Sequence, residues 1–520
     1  MAQHTFFLCL GGTGSQVGTA IGAIYPILKS SGIADSSDVY KMFIVDKDTR
    51  GKNYDYCMNV AKRYKEVYKT LPFEALQPYE VNGSLYQEWQ EAAGHLSQDY
   101  TVMDLIGFDS SIKELANMCW KDEKQKESLR DGNNRDPSRG SLDAYVSLHY
   151  FESSSLFKEL KKLVETTPIE DIRIVILAGT TGGMGSSLIV PLVKRIKEYT
   201  DADDPEHKKV FEALRIDLVL LGTYFQIPQN PDAKKKVDEI GKTIDSYYRT
   251  CDQLKELEEG VIKKFYKQDW WVYYVAFPGF DDICGSFNKN GAEKRKAHMV
   301  ELFAALAAFN LAKLKEPGFY QTTIPFDENG KFKIGWTDVP LGRELKKSIR
   351  SFVKCISLVA CQLYPRLSMD VYAQNKDVYI TKYIRKPKNS IGELSELASL
   401  TKQWLVSMIP YFEFWAEVQH HSQFGGEGKA RIDFFKESDV EELKKILISV
   451  VNNPFASWGS NSTPINKMPM CDGTWMSYIS DIKPDKYKLN AVLGSQDGRG
   501  ELFTLMLQDL YNMLMTRKED

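Results

Sequence analysis

Thr5-Phe6-Phe7-Leu8-Cys9-Leu10-Gly11-Gly12-Thr13-Gly14-Ser15-Gln16-Val17-Gly18 decides the reading of the whole chain. The apolar run Thr5 to Leu10 suits a strand covered on both faces, as in a parallel sheet. Gly11 to Ser15 reads as a turn. Gln16 to Lys29 carries Val17, Ile21, Ile24 and Leu28 at helical spacing, with Pro26 shortening or kinking the helix. A second strand, Lys41 to Val45, ends at Asp46, which completes a βαβ unit. Glycines in such a turn let backbone amides approach an anion. The helix behind them adds free N–H groups and the positive end of its dipole.

The pattern recurs far along the chain. Ile172 to Leu177 is a strand, Ser186 to Tyr199 a helix, and Ala178-Gly179-Thr180-Thr181-Gly182-Gly183-Met184-Gly185 the turn between them. Its glycines and hydroxyls suit a loop wrapped around phosphate oxygens. It is not a Walker loop, because no Gly-Lys-Ser/Thr follows. Further strands are Ile216 to Leu221 and Trp271 to Phe277, with a helical region over about 233–267 between them. The alternation predicts an α/β fold: a Rossmann-like, mostly parallel sheet with helices on both faces. A helical insertion occupies about 50–148, including the loop-like run Asp131 to Pro137. His298 to Lys315, apolar and alanine-rich, reads as a long buried central helix. Beyond it the texture changes, with a helix at Leu345 to Leu363 and a strand at Val371 to Tyr383. The expected organisation is a nucleotide-binding domain over 1–295, the central helix over 296–320, and a mixed α+β domain over 321–520.

Composition narrows the class. With 43% hydrophobic and 26% charged residues, the chain of 520 buries sizeable cores and is not a disordered protein. A formal net charge of −3 supplies no general attraction to nucleic acid or anionic membrane. Met1 to Leu10 lacks the basic flank of a signal peptide, and no run reaches spanning length. The cysteines form no CxxC pair, which favours buried reduced thiols and a cytoplasmic setting over disulfides or zinc. Lys234-Lys235-Lys236 reads as a solvated helix face. His420-His421 point to different sides of a helix, so no metal site is expected.

Taken alone, Gly12-x-Gly14-x-x-x-Gly18 fits a dinucleotide-binding turn, an adenylating enzyme that activates ubiquitin-like proteins, or a tight turn with no ligand. Two such turns on one sheet, in this order, resemble the tubulin/FtsZ GTPases. Gly11 to Gly18 resembles their first phosphate loop. Gly182-Gly183-Met184-Gly185-Ser186-Ser187 resembles their glycine-rich signature loop, with Met184 at its threonine and Ser187 at its last glycine. Asp46 and Asp48 fall where the family has an acidic loop near the nucleotide. Leu221-Gly222-Thr223-Tyr224-Phe225 resembles the loop after the next strand. Phe277-Pro278-Gly279 stands before the central helix, where FtsZ proteins have Ile-Pro-Asn. The resemblance covers about residues 5 to 345 and is nearest to divergent bacterial tubulin-like proteins.

The resemblance implies a site for GTP or GDP, with Mg2+ as companion ion. Its residues would be Gly11, Gly12, Thr13, Gly14, Ser15, Gln16, Asp46, Asp48, Gly179, Thr180, Thr181, Gly182, Gly183, Met184, Gly185, Ser186 and Tyr224. His298 would replace the family's base-contacting aspartate, or simply start the helix. The family completes hydrolysis in trans with acidic residues. Ile334 to Pro340 offers only Asp338, and a turn or cap aspartate is its plainer reading, so hydrolysis is expected to be weak or dependent on a partner. Implied partners are copies of the chain, in oligomers or filaments, and other proteins of a shared bacterial system, phage defence among them. No nucleic acid or membrane partner is implied. Two rivals remain open at this stage. One is an NAD-dependent or adenylating Rossmann enzyme, with Asp46 on a ribose. The other is a scaffold that works without nucleotide.

Overall fold

The computed structural model describes residues 3–49, 51–92, 94, 101–108, 113–119, 121–126, 129, 137–180, 184–199, 211–222, 271–276, 297–323, 339–367, 377–384, 391–421, 435–452, 468–493, 495 and 498–517. Its centre is a sheet of β1 (His4–Leu10), β2 (Val39–Val45), β3 (Glu80–Ser84), β4 (Ile172–Gly179), β5 (Arg215–Leu221), β6 (Trp271–Ala276) and β7 (Gly318–Thr323). The order is β3-β2-β1-β4-β5-β6-β7, and every neighbouring pair is parallel. Chain direction across the sheet therefore reverses between β1 and β4. In open parallel sheets that switch point opens a crevice at the carboxyl ends of the strands.

Helices fill the connections. α1 (Gly11–Ile24) follows β1 and α2 (Lys52–Val67) follows β2. Between β3 and β4 lie α3 (Leu85–Ala92), α4 (Val102–Phe108), α5 (Lys113–Cys119), α6 (Asp122–Gln125), α7 (Pro137–Leu148) and α8 (Ser155–Val164). α9 (Gly185–Lys197) follows β4, and α10 (Met299–Lys313) precedes β7. Then come α11 (Gly342–Leu358), α12 (Val378–Tyr383), α13 (Ile391–His421), α14 (Glu437–Asn452), α15 (Trp475–Ile479), α16 (Lys486–Leu493) and α17 (Gly498–Thr516). Among the described residues no helix is long and apolar enough to cross a membrane.

Alternation along the strands builds two cores. Phe7, Cys9, Met42, Ile44, Val175 and Leu177 join the core under α1, α2, α10 and the C-terminal helices. Phe6, Leu8, Leu10, Phe43, Val45, Ile174 and Ile176 join the core under α3, α8 and α9. Because both faces are covered, the central strands β1, β4 and β5 are apolar at most positions. Each fully buried Leu, Ile or Phe contributes about 1.5–3 kcal/mol relative to exposure. α10 is apolar all round because it is enclosed all round, from Met299 to Phe309.

The C-terminal end of α10 is anchored by polar contacts. Arg173 of β4 donates to Ala308 O at 2.6 Å, and Arg215 of β5 donates to Leu311 O at 2.7 Å. Both carbonyls lie in the last two turns of α10, and Leu311 O also accepts from the Leu314 amide at 3.1 Å. Both guanidiniums also bind the buried carboxylate of Asp217. Arg173 and Arg215 begin their strands, so α10 starts at the opposite rim. A 15-residue helix and a seven-residue strand both span about 23 Å. His298 thus lies at the carboxyl end of the sheet.

Beyond the strands expected from the sequence, β7 joins the main sheet beside β6. Two expectations are corrected. Residues 377–383 are not a strand: Asp377 caps α12 by accepting from the amides of Tyr379 at 2.8 Å and Ile380 at 3.2 Å. The buried side chains Tyr379, Ile380 and Tyr383 then follow helical spacing. Beyond β7 the described elements are all helical. They pack back on the first half: Tyr411 of α13 donates to Val60 O of α2 at 3.2 Å, and the hydroxyls of Tyr511 and Ser30 share a hydrogen bond of 3.1 Å. The region 233–267 and the run 131–136 lie outside the described residues.

Candidate functional site

The first turn is tighter than expected, because Gly11 makes it alone. Gly11 takes φ +66°, and α1 begins there and not at Gln16. Left-handed backbone carries little penalty for glycine and reverses the chain in one residue. The amides of Gly12 and Thr13 consequently fall in the first helical turn, where no intrahelical acceptor exists.

The two glycine turns meet. A Cβ on Gly11 would stand 3.0 Å from the amide nitrogen of Gly185. A Cβ on Gly185 would stand 3.0 Å from Leu10 O, and one on Gly179 would stand 3.0 Å from Thr13 Oγ1. Glycine at these positions is what lets the segments after β1 and β4 touch across the switch point. Gly14 and Gly18 serve packing. A Cβ on Gly14 would press to 2.5 Å from Leu177 O, and one on Gly18 to 2.8 Å from Cys9 Sγ. Gly12 differs: its nearest neighbour would be Asn53 Nδ2, at 3.2 Å.

Neither helix start is capped or neutralised by its own residues. Neither the N-cap of α1, Leu10, nor that of α9, Met184, forms a side-chain cap, and neither first turn holds an acidic residue. Two positive helix ends therefore lie side by side, with no acidic residue in the first turn of either. Two of the hydroxyls, those of Ser15 and Thr180, are turned inward. Ser15 Oγ donates to Gly11 O at 3.1 Å, and Thr180 donates to Leu221 O through both its amide (2.7 Å) and its hydroxyl (3.0 Å). Ser186 is buried at the start of α9. Gln16 is buried and donates to Asn53 Oδ1 at 3.4 Å.

The acidic turn after β2 completes the rim. Asp46 Oδ1 accepts from the Asp48 amide at 3.1 Å, Asp46 is buried, and Asp48 is exposed. Burial pushes the Asp46 carboxyl up to about 7, with the neighbouring Asp48 charge adding to the rise against the hydrogen bonds from the Asp48 and Lys47 amides. Among the described residues no group of three or more His, Cys, Asp or Glu forms a metal cage. A Mg2+ ion carried in on phosphates needs only one or two carboxylates, and Asp46 and Asp48 are of that kind.

His298 is the N-cap of α10. Its Nδ1 accepts from the Val300 amide at 3.2 Å, while its own amide donates to Glu301 Oε2 at 2.7 Å, a capping box. It is fully buried. That makes it a helix-start residue, the plainer of its two readings. Thr181, Gly182, Gly183, Tyr224 and Asp338 lie outside the described residues, as do Pro278 and Gly279.

Sequence reasoning missed Asn53, Lys47 and Asp143. Lys47 Nζ donates to Asp143 Oδ2 of α7 at 2.9 Å, with both side chains out of water. Nothing local in the sequence pairs residues so far apart; the position of Lys47 between two aspartates was the only visible signal. The five described free thiols include four buried ones, and burial raises Cys57 and Cys361 to about 12. Comparison with known proteins finds no matching family model, no matching curated protein and no matching solved structure.

Proposed function

We propose that this chain binds the phosphates of a nucleoside triphosphate, GTP by its resemblance to tubulin/FtsZ proteins, between the turns after β1 and β4. One observation carries the reading: Gly11 lies against Gly185, and Thr13 against Gly179, at the switch point of a parallel sheet. Amides of Gly12 and Thr13 and the start of α9 supply the phosphate contacts. Asp46 and Asp48 hold a Mg2+ ion that arrives with the nucleotide. Bound nucleotide favours self-assembly or engagement of partner proteins. Hydrolysis is slow in the isolated chain and rises when a second copy or another protein adds a group at the γ-phosphate.

The test is equilibrium binding of labelled GTP, ATP and NAD by the purified chain, with sedimentation in each nucleotide. Saturable GTP binding that depends on Gly12, with assembly that follows it, supports the reading. No binding of any triphosphate ends it. Asp46 at the carboxyl end of β2 also suits a ribose contact, as in dinucleotide folds. A thermal shift with NAD that GTP does not produce favours that second reading. Assembly indifferent to every nucleotide favours a scaffold.

A further inference from the structure

One buried stripe of α7 is polar, between buried apolar residues such as Leu142, Ala144, Val146 and Leu148. Arg139, Asp143 and Ser147 follow one another at four-residue spacing, and all are buried. Beside them Ala144 and Leu148 belong to the same core as Met184, Leu188 and Ile189 of the α9 segment, against which α7 packs. Asp143 holds Lys47 at 2.9 Å, and Ser147 Oγ donates to Tyr86 OH at 3.0 Å. Replacing a buried ion pair with apolar groups is often neutral or stabilising. Stability alone therefore does not account for this one.

The partners of that face explain it. The turn Asp46 to Thr49 is held from outside at three points. Ser84 Oγ donates to Asp46 O, Gln87 Nε2 donates to Thr49 Oγ1 at 2.8 Å, and Lys47 reaches Asp143. α7 thus joins the acidic turn, on one side, to the helix that opens at the second glycine turn, on the other. Whatever draws those two parts of the rim together loads α7.

We propose that α7 couples occupancy of the nucleotide site to the outer surface, with Asp143 as a positioning residue acting through Lys47. The proposal rests on the nucleotide reading above. Ligand binding pulls the Asp46–Asp48 turn toward the phosphates, Lys47 carries the pull to Asp143, and α7 tightens. The outer side of α7 displays this at Tyr145, which is 51% exposed.

Hydrogen exchange over residues 137–148 of the full chain tests it, with and without a slowly hydrolysed GTP analogue and Mg2+. Saturation is verified separately with labelled nucleotide. In the wild type, saturation is expected to slow exchange over α7 by about threefold or more. In K47M/D143L, which removes both charges and keeps the volume, the change disappears at the same saturation. A Y145W chain with the pair intact supplies a second readout: its emission shifts on saturation. Unchanged exchange and unchanged emission in a saturated wild-type background overturn the coupling, as does a full response in K47M/D143L. Absence of labelled-nucleotide binding is a different failure, that of the nucleotide reading itself, and the coupling falls with it.

Discussion

Asp217 of β5 binds the guanidinium of Arg173 on the adjacent strand, and neither side chain reaches water. Arg215 shares the same carboxylate, and the two arginines hold the carbonyls of Ala308 and Leu311 near the end of α10. Removing Asp217 leaves Arg173 buried without a counter-charge. D217A should lower unfolding stability by about 3–5 kcal/mol. R215A should lower it less, because Arg215 stands at the amino end of its strand, 22% exposed. Urea denaturation of the two variants checks this, and equal losses would contradict it.

Gly12 and Gly14 separate ligand effects from folding effects. A carboxylate in the first turn of α1 favours the helix by about 0.3–1 kcal/mol and repels phosphate. Among the described residues, a Cβ at position 12 would have one close neighbour, the end of the Asn53 side chain, which can move. G12D should therefore fold at least as well as wild type and bind triphosphate about tenfold more weakly or worse. G14A sets a Cβ at 2.5 Å from Leu177 O and should fail on stability before binding can be measured. Full triphosphate affinity in G12D, measured by titration, would place the anion elsewhere.

Asp46 makes stability depend on pH with a defined sign. Its carboxyl is raised from 3.8 to about 7 in the fold, so the folded state holds the proton where the unfolded state has lost it. The contribution is complete below about 4 and is lost as pH rises through about 7. Chemical denaturation from pH 4 to 8 should show that fall in wild type relative to D46N. Parallel pH profiles for the two proteins would refute the assignment.

His298 acts through its cap. H298A should lose about 0.5–2 kcal/mol, and H298N, a strong N-cap residue, should recover much of it. Nucleotide affinity should stay the same in both. A drop in affinity in H298N without a drop in stability would show instead that the imidazole touches the base.

The sheet was legible because parallel strands covered on both faces are written as mostly apolar runs, even with Arg173 and Asp217 inside them: Thr5 to Leu10, Ile172 to Leu177 and Ile216 to Leu221 each form a strand. β3 was not legible. Glu-Val-Asn-Gly-Ser is an edge strand with little apolar content. Val378 to Tyr383 misled because its β-branched and aromatic residues suit a strand, yet the Asp377 cap sets a helix. In the site, the glycines announced close approach, but which glycine served what was invisible. Gly14 faces Leu177 O, while Gly11 faces Gly185, and only the assembled sheet distinguishes them. Lys47 and Asp143 stayed hidden because an ion pair between separate elements leaves no periodic trace.

The hydrogen bond between Ser30 and Tyr511 has a consequence for biosynthesis. The segment behind α1 that carries Ser30 leaves the ribosome 481 residues ahead of Tyr511 of α17, whose side chain belongs to the same core as α1. Until α17 has been made, the growing polypeptide shows an uncovered greasy flank of its sheet to the cell. Nascent chains of this protein are therefore natural clients for chaperones, and early termination yields fragments prone to aggregate.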